Sequence, residues 1–331
     1  MDRVIRVTLI VTAISSVVGA LIGLIQSDDA PGWSILAGAL TGSSIAFGCT
    51  VVEMGVLSNS ALRLVRRLPP LVIVGLRGIL YSFVILGGMS LQFLVLSAPP
   101  PWAHDGFNAQ FLMSCAVAAI FSIGIEVVRF LGTEASLSLI STRYTEPRLE
   151  ERVVLFADVV GSTALGEALG ALGFHRFLSE VALDLAGPIN AAGGTVHRYV
   201  GDAVIVTWPA AHGLRDGACL ACAQQMHAVL ARAAPRYEKR FGAAPKVRVA
   251  VHVGVLAVGE MGDWKKEIAL LGDLMNTAAR IEAAAKQFDA PTVLSDALVQ
   301  QLEPEARAEL TQLPQTVLDG KADALVLWRD G

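Results

Sequence analysis

Four apolar stretches, residues 4–25, 33–57, 71–97 and 107–131, set the strongest limit on what this chain folds into. Each approaches or exceeds the ~20 residues that a helix needs to cross a hydrocarbon core of ~30 Å. No water satisfies backbone N–H and C=O groups in that core, so each stretch has to be helical. The mean hydropathy of +0.55, with only 17% of residues charged, is high for 331 residues. The apolar excess lies almost wholly before residue 132. The first stretch resembles a secretory signal in length, but it lacks a convincing cleavage site and three more spans follow, so it is expected to be retained. Arg3 and Arg6 precede the first span, and Arg63, Arg66 and Arg67 fill the connection between the second and third. The other two connections carry Asp28, Asp29 and Asp105 and no Lys or Arg. Basic connections stay on the cytoplasmic side. The expectation is a multi-pass protein of the cell (inner) membrane, in contact with the lipid bilayer, with four transmembrane helices in residues 1–132 and both termini cytoplasmic.

Three charged residues, Glu53, Arg77 and Glu126, fall near the cytoplasmic ends of their spans. Two arrangements spare them the cost of burial in lipid: snorkelling to the headgroups, or a cluster that ties the helices together. Gly38-x-x-x-Gly42, with Ala46 one turn on, is a small-residue face suited to close helix packing.

From Gly132 the chain changes character. Residues 133–140 are expected to prolong the fourth span as part of a helical connector over 133–150, which Pro147 breaks. Residues 151–331 form the soluble half, which alternates strand-like and helix-like runs. A strand through Asp158 precedes a helix over 164–190, a hairpin over 195–208 and a helix over 214–237. Strands over 246–253 and to about 259, a helix over 274–286, a short strand over 291–295 and a terminal helix and strand follow. This order points to an α+β sheet with helices on one face. The four Cys do not suggest a disulfide framework, and Cys219-x-x-Cys222, in an alanine-rich helical stretch, reads as core packing rather than zinc or redox chemistry. The net charge of −4 argues against a nucleic-acid partner, and no Walker A sequence is present.

Chemistry concentrates in three units. In Leu155-Phe156-Ala157-Asp158-Val159-Val160-Gly161-Ser162-Thr163 an apolar strand ends in a carboxylate, and a tight turn follows. Alone, such an Asp is most simply a turn or N-cap residue. A second unit, Val200-Gly201-Asp202-Ala203, sets another Asp in the dipeptide that marks a two-residue hairpin. If the two carboxylates meet, they make the hard-oxygen site that Mg²⁺ or Mn²⁺ prefers. The third unit runs from Gly272 through Asn276 and Arg280 to Glu282. Asn276 and Arg280 are four apart on a helix and project from one face. An amide and a guanidinium presented together orient a sugar or phosphate and offset charge on a phosphoryl group.

Taken together, these units resemble the catalytic domain of class III nucleotidyl cyclases, and the resemblance extends over residues 151–328. It implies a ferredoxin-like class III cyclase fold and a reaction in which a ribose 3′-hydroxyl attacks the α-phosphorus and pyrophosphate leaves. Asp158 and Asp202, with the backbone of Val159, would hold two divalent metal ions, Mg²⁺ or Mn²⁺. Gly161, Ser162 and Thr163, at a helix N-terminus, would receive phosphates. Asn276 would orient the ribose, and Arg280 would stabilise the pentacoordinate phosphorus. Arg198 and Ala269 stand where ATP-specific members usually have Lys and Asp or Thr, and neither matches the Glu and Cys of guanylate cyclases. ATP is expected on the family's precedent, with GTP as the alternative. Asp319-Gly320-Lys321 resembles a phosphate-contacting loop, which makes Lys321 a further candidate. In this family the metal residues and the Asn/Arg pair of one site come from different subunits, so the resemblance implies a homodimer with two shared sites. A catalytically inactive nucleotide-binding receptor is the competing class, disfavoured because Asp158, Asp202, Asn276 and Arg280 are all present.

Overall fold

A computed structural model describes residues 2–25, 31–52, 69–96, 107–131, 143–264, 266–314, 316–317 and 324–330. The chain divides into two compact units, Met1–Phe130 and Leu131–Gly331.

The first unit contains helices α1 (Asp2–Ile25), α2 (Pro31–Val51), α3 (Pro70–Leu96) and α4 (Phe107–Leu131). Three helical segments among the described residues, Gly32–Val51, Leu71–Leu91 and Phe107–Gly124, are long and apolar enough to cross a membrane. The apolar part of α1, Val11–Ile25, is shorter. Glycine sets how α1 meets α2. A Cβ added to Gly19 would run into the carbonyl oxygen of Gly38, one added to Gly38 into that of Gly19, and one added to Gly42 into that of Ser15. The small-residue face read from Gly38 and Gly42 therefore brings two backbones into direct contact. Arg77 is fully buried inside this unit, which does not match a side chain snorkelling outward. Glu53 and the side chain of Glu126 lie outside the described residues, as does the basic connection 53–68.

The second unit is built on a mixed sheet ordered β2-β3-β1-β4-β6-β10-β7, with β5 paired to β4. Its strands are β1 (Arg148–Val159), β2 (Thr195–Val200), β3 (Ala203–Pro209), β4 (Val247–Met261), β5 (Glu267–Leu271), β6 (Thr292–Ser295), β7 (Leu310–Gln312) and β10 (Leu327–Asp330). A separate ribbon pairs β8 (Thr316–Val317) with β9 (Ala324–Leu325). All pairings in the main sheet are antiparallel except β4 with β6.

Period-two alternation along β1 explains its burial. Val153, Leu155, Ala157 and Val159 pack against Phe177 and Leu185 of α5 (Ser162–Ala191) and Met226 and Leu230 of α6 (Ala218–Phe241). Val154 and Phe156 face the other way, toward Leu274 and Ala278 of α7 (Asp273–Ala285). The expectation of helices on one face is thus corrected: both faces are covered, which is why β1 is a near-continuous apolar run. Two further corrections concern strands. The two strands expected over 246–259 are one 15-residue strand, β4, and β5 continues the sheet where no strand was expected. No helix reaches Pro147 over 143–146, which form a turn, while 132–142 lie outside the described residues.

That turn is fastened to the sheet. The Glu260 amide donates to the Tyr144 carbonyl at 2.8 Å, and the Arg152 guanidinium, 2% exposed, donates to Glu150 at 2.8 Å and to the Tyr144 hydroxyl at 3.1 Å. On the opposite face α5 and α6 are tied by Arg236 and Tyr237 donating to Asp184 and Arg240 donating to Glu180. Cys219 and Cys222 are buried in α6, and burial pushes both thiols up to about 12, so they pack rather than react.

Candidate active site

Asp158 follows Val154 and Phe156 on the α7 face of β1 and is the last such residue before the strand ends. Its cross-strand partner is Ala203, the residue after Asp202. Val200 pairs with Ala203, so Gly201-Asp202 is a two-residue turn, and Gly201 takes the left-handed φ of 61° that such a turn needs. Strand register thus brings the Asp202 carboxylate to the Asp158 carboxylate. Burial, followed by the Asp202 charge and a hydrogen bond shared with it, pushes Asp158 from its ordinary 3.8 up to about 6.

The chain continues from this pair into α5. Gly161 is its N-cap at φ 72°, a conformation that costs other residues strain, and no side chain caps the helix. The helix end that starts at Ser162 and Thr163 therefore presents backbone amides beside the carboxylate pair. The Val160 amide is excluded from that role because it donates to the Lys246 carbonyl at 2.9 Å. The Val159 side chain is buried in the α5–α6 core, which leaves its backbone for the site.

Helix α7 approaches this pair with residues that the sequence reading passed over. Lys286 Nζ lies 3.9 Å from Asp158 Oδ2 and 3.6 Å from Glu282 Oε1. That Glu282 oxygen is buried and accepts no hydrogen bond among the described residues. The i,i+4 spacing of Glu282 and Lys286 reads in sequence as an ordinary solvated pair, and only the fold shows a third carboxylate beside it. Asn276 and Arg280 lie elsewhere on the helix. At about 100° per residue, Glu282 is roughly 200° around α7 from Arg280, on the far side of the buried stripe Leu274, Ala278 and Ile281. Asn276 is exposed. Glu282 thus flanks the buried stripe on one side and Arg280 on the other.

Arg198 reaches the α7 face through a β-bulge. The register shifts between Val196 and Arg198, so that Arg198 opposes Ile205, itself paired with Phe156. Its guanidinium makes a 2.9 Å ion pair with Glu267 on β5, although β3, β1 and β4 stand between the two strands in the sheet order. Glu267 precedes Ala269 by two residues on the same side of β5, and the sequence reading missed it because β5 itself was not seen. Lys321 lies outside the described residues.

Two adjacent carboxylates, a backbone segment and an uncapped helix N-terminus are the donor set that suits a hard divalent cation held against phosphate. Without that cation Asp158 loses stability on ionising. Its folded pKa lies above its unfolded one, so stability falls as pH rises from 3.8 to about 6 and stays lower above. Asp158→Asn is expected to raise the thermal midpoint of the cation-free chain at about pH 7.5 by roughly 2–4 °C. The gain should shrink as pH is lowered through about 6, and a pH-independent gain would contradict this cause.

Residues 145–328 match the family described as "Adenylate and Guanylate cyclase catalytic domain". "Adenylate cyclase 2" of Rhizobium meliloti (strain 1021) is 33% identical over 203 residues, covering 61% of this chain and 56% of that protein. An "Adenylate cyclase" of Anabaena cylindrica is 24% identical over 185 residues, covering 53% of this chain and 36% of its own length. The match thus spans about half or less of these curated relatives. Among solved structures, one described as a bacterial light-regulated adenylyl cyclase superposes with a TM-score of 0.56 at 19% identity, covering 66% of this chain and 64% of that one. That likeness concerns the fold.

Proposed function

Because residues 145–328 place this chain in the adenylate and guanylate cyclase catalytic-domain family, we propose that it is a membrane-anchored adenylate cyclase, which converts ATP to 3′,5′-cyclic AMP and pyrophosphate. The observation that carries this reading is the meeting of Asp158 and Asp202 beside an uncapped helix N-terminus. Two Mg²⁺ or Mn²⁺ ions held by these carboxylates and the Val159 backbone would lower the pKa of the ribose 3′-hydroxyl and neutralise phosphate charge. The amides at Gly161, Ser162 and Thr163 receive phosphate oxygens. Asn276 fixes the ribose so that its 3′-oxygen lines up with the α-phosphorus, and Arg280 offsets the charge that builds there as pyrophosphate departs.

Arg280 lies roughly 200° around α7 from Glu282 and Asn276 is exposed, so in this reading they serve the site of a second copy. The exposed apolar side chains Val255, Met261, Trp264 and Leu271, on β4, β5 and the turn between them, suit burial against that copy. The membrane half, residues 1–132, crosses the bilayer four times with both termini cytoplasmic, and 133–150 connects it to the catalytic domain at 151–331.

Arg198 and Glu267 are the base-reading pair. A guanidinium donates to a purine N1, and a carboxylate accepts from the exocyclic amine of adenine, the role for which Ala269 has no polar atom. The curated relatives, adenylate cyclases by name, point to the same base. The test is purified full-length chain with ATP or GTP and Mg²⁺ or Mn²⁺, with cyclic product measured beside an Asp202→Asn control. Cyclic AMP from the wild type and none from the control is expected. Glu267→Ala should lower the ATP:GTP ratio of kcat/KM by about tenfold or more. Absence of both cyclic nucleotides with either metal would favour an inactive nucleotide receptor.

A further inference from the structure

We propose that Lys286 is an internal counter-cation of the Asp158–Asp202 pair, and that Glu282 takes over its ammonium when a divalent cation binds. The proposal rests on the metal-binding reading of Asp158 and Asp202. It concerns what holds that site together beforehand.

Among the described residues, Asp202 and Glu282 both act on Asp158 at the end of β1, and the Lys286 ammonium lies beside Asp158 and Glu282. Lys286 Nζ stands 3.9 Å from Asp158 Oδ2 and 3.6 Å from Glu282 Oε1. Neither is a close ion pair, and the Lys286 side chain is 55% exposed, so its four-carbon stem is free to swing from one carboxylate to the other. Glu282 is ready to receive it: its side chain is 15% exposed, and its buried Oε1 accepts no hydrogen bond among the described residues. An ordinary i,i+4 pair on a solvated helix would touch no third group. Here the third group belongs to β1 and is a metal-site carboxylate.

A divalent cation arriving at Asp158 is repelled by the ammonium, and the repulsion is relieved when Lys286 moves wholly onto Glu282. Lys286 and Glu282 are positioning residues: neither is assigned contact with the nucleotide. Lys286 spares the carboxylates their mutual repulsion while the site holds no cation, at a cost in metal affinity.

The test is Mn²⁺ titration of the full chain in lipid nanodiscs without nucleotide, with free Mn²⁺ read by electron paramagnetic resonance. Lys286→Met is expected to tighten Mn²⁺ binding about three- to fivefold, the range for removing an exposed ion pair's worth of opposition. Lys286→Arg, which keeps the charge, should stay within about twofold of wild type. Glu282→Gln should weaken binding, and that weakening should fall by half or more in the Lys286→Met background. Unchanged or weaker binding in Lys286→Met, tightening in Lys286→Arg, or an undiminished Glu282→Gln effect in the double variant would each overturn the proposal. Asp202→Asn separates the two levels. If it leaves Mn²⁺ binding unaltered, the metal reading itself falls and the Lys286 proposal with it. If it abolishes binding while Lys286→Met has no effect, only the Lys286 proposal falls.

Discussion

Chains carrying Asp158→Asn, mixed with chains carrying Asn276→Ala, should regain cyclase activity that neither variant has alone. Lys286 lies 3.9 Å from Asp158 of its own chain and 3.6 Å from Glu282, whereas Arg280 lies roughly 200° around the same helix from Glu282. In the proposed dimer a complete site would draw its carboxylates from one chain and its amide and guanidinium from another. In a random equal mixture half of the dimers are mixed, and each holds one intact site of two, so recovery to roughly a quarter of wild-type activity is expected. Subunits are co-expressed, or exchanged in detergent before assay. Recovery near zero with mixed dimers present would exclude shared sites, and full activity of either variant alone would remove that residue from the chemistry.

Arg280→Ala is expected to lower kcat by about 10²–10³ with a much smaller change in KM. A guanidinium that acts on charge developing at phosphorus is felt in the transition state more than in the bound substrate. Arg280→Lys keeps the charge but loses the planar fork, so partial activity should return. A rise in KM at constant kcat would instead make Arg280 a ground-state phosphate contact. The same steady-state measurements on Asn276→Ala should show a kcat loss as well, because misaligning the 3′-oxygen removes orientation rather than affinity.

How much of this was legible in the sequence depends on how local each signal is. Asp158 and Asp202 were readable because an alternating strand and a Gly-Asp turn are encoded in a few adjacent residues, and the β1–β3 register then does the rest. The α1–α2 contact was readable from Gly38 and Gly42, although the partners Gly19 and Ser15 were not, since nothing in sequence says which helix meets which. Glu267 was invisible because β5 depends on pairing with the far half of a 15-residue strand, and a five-residue strand carries little pattern of its own. The bulge that re-aims Arg198 lies within β2 and has no Gly to mark it. Glu282 and Lys286 look like solvated charges until β1 is placed beside them. The second helical face was missed because a strand buried on both sides and one buried on a single side differ only in the residues between the apolar positions, and β1 fills those with Val154 and Phe156.

The 13 residues of α7 have a last consequence. A helix of this length behaves nearly as a rigid rod, so it fixes the spacing between Asn276 near its start and Lys286, the residue just past its end. In a dimer with shared sites, those two ends answer to different active centres. The proposed dimer would then hold two centres joined like two blades on one shaft, each helix lending a different end to each.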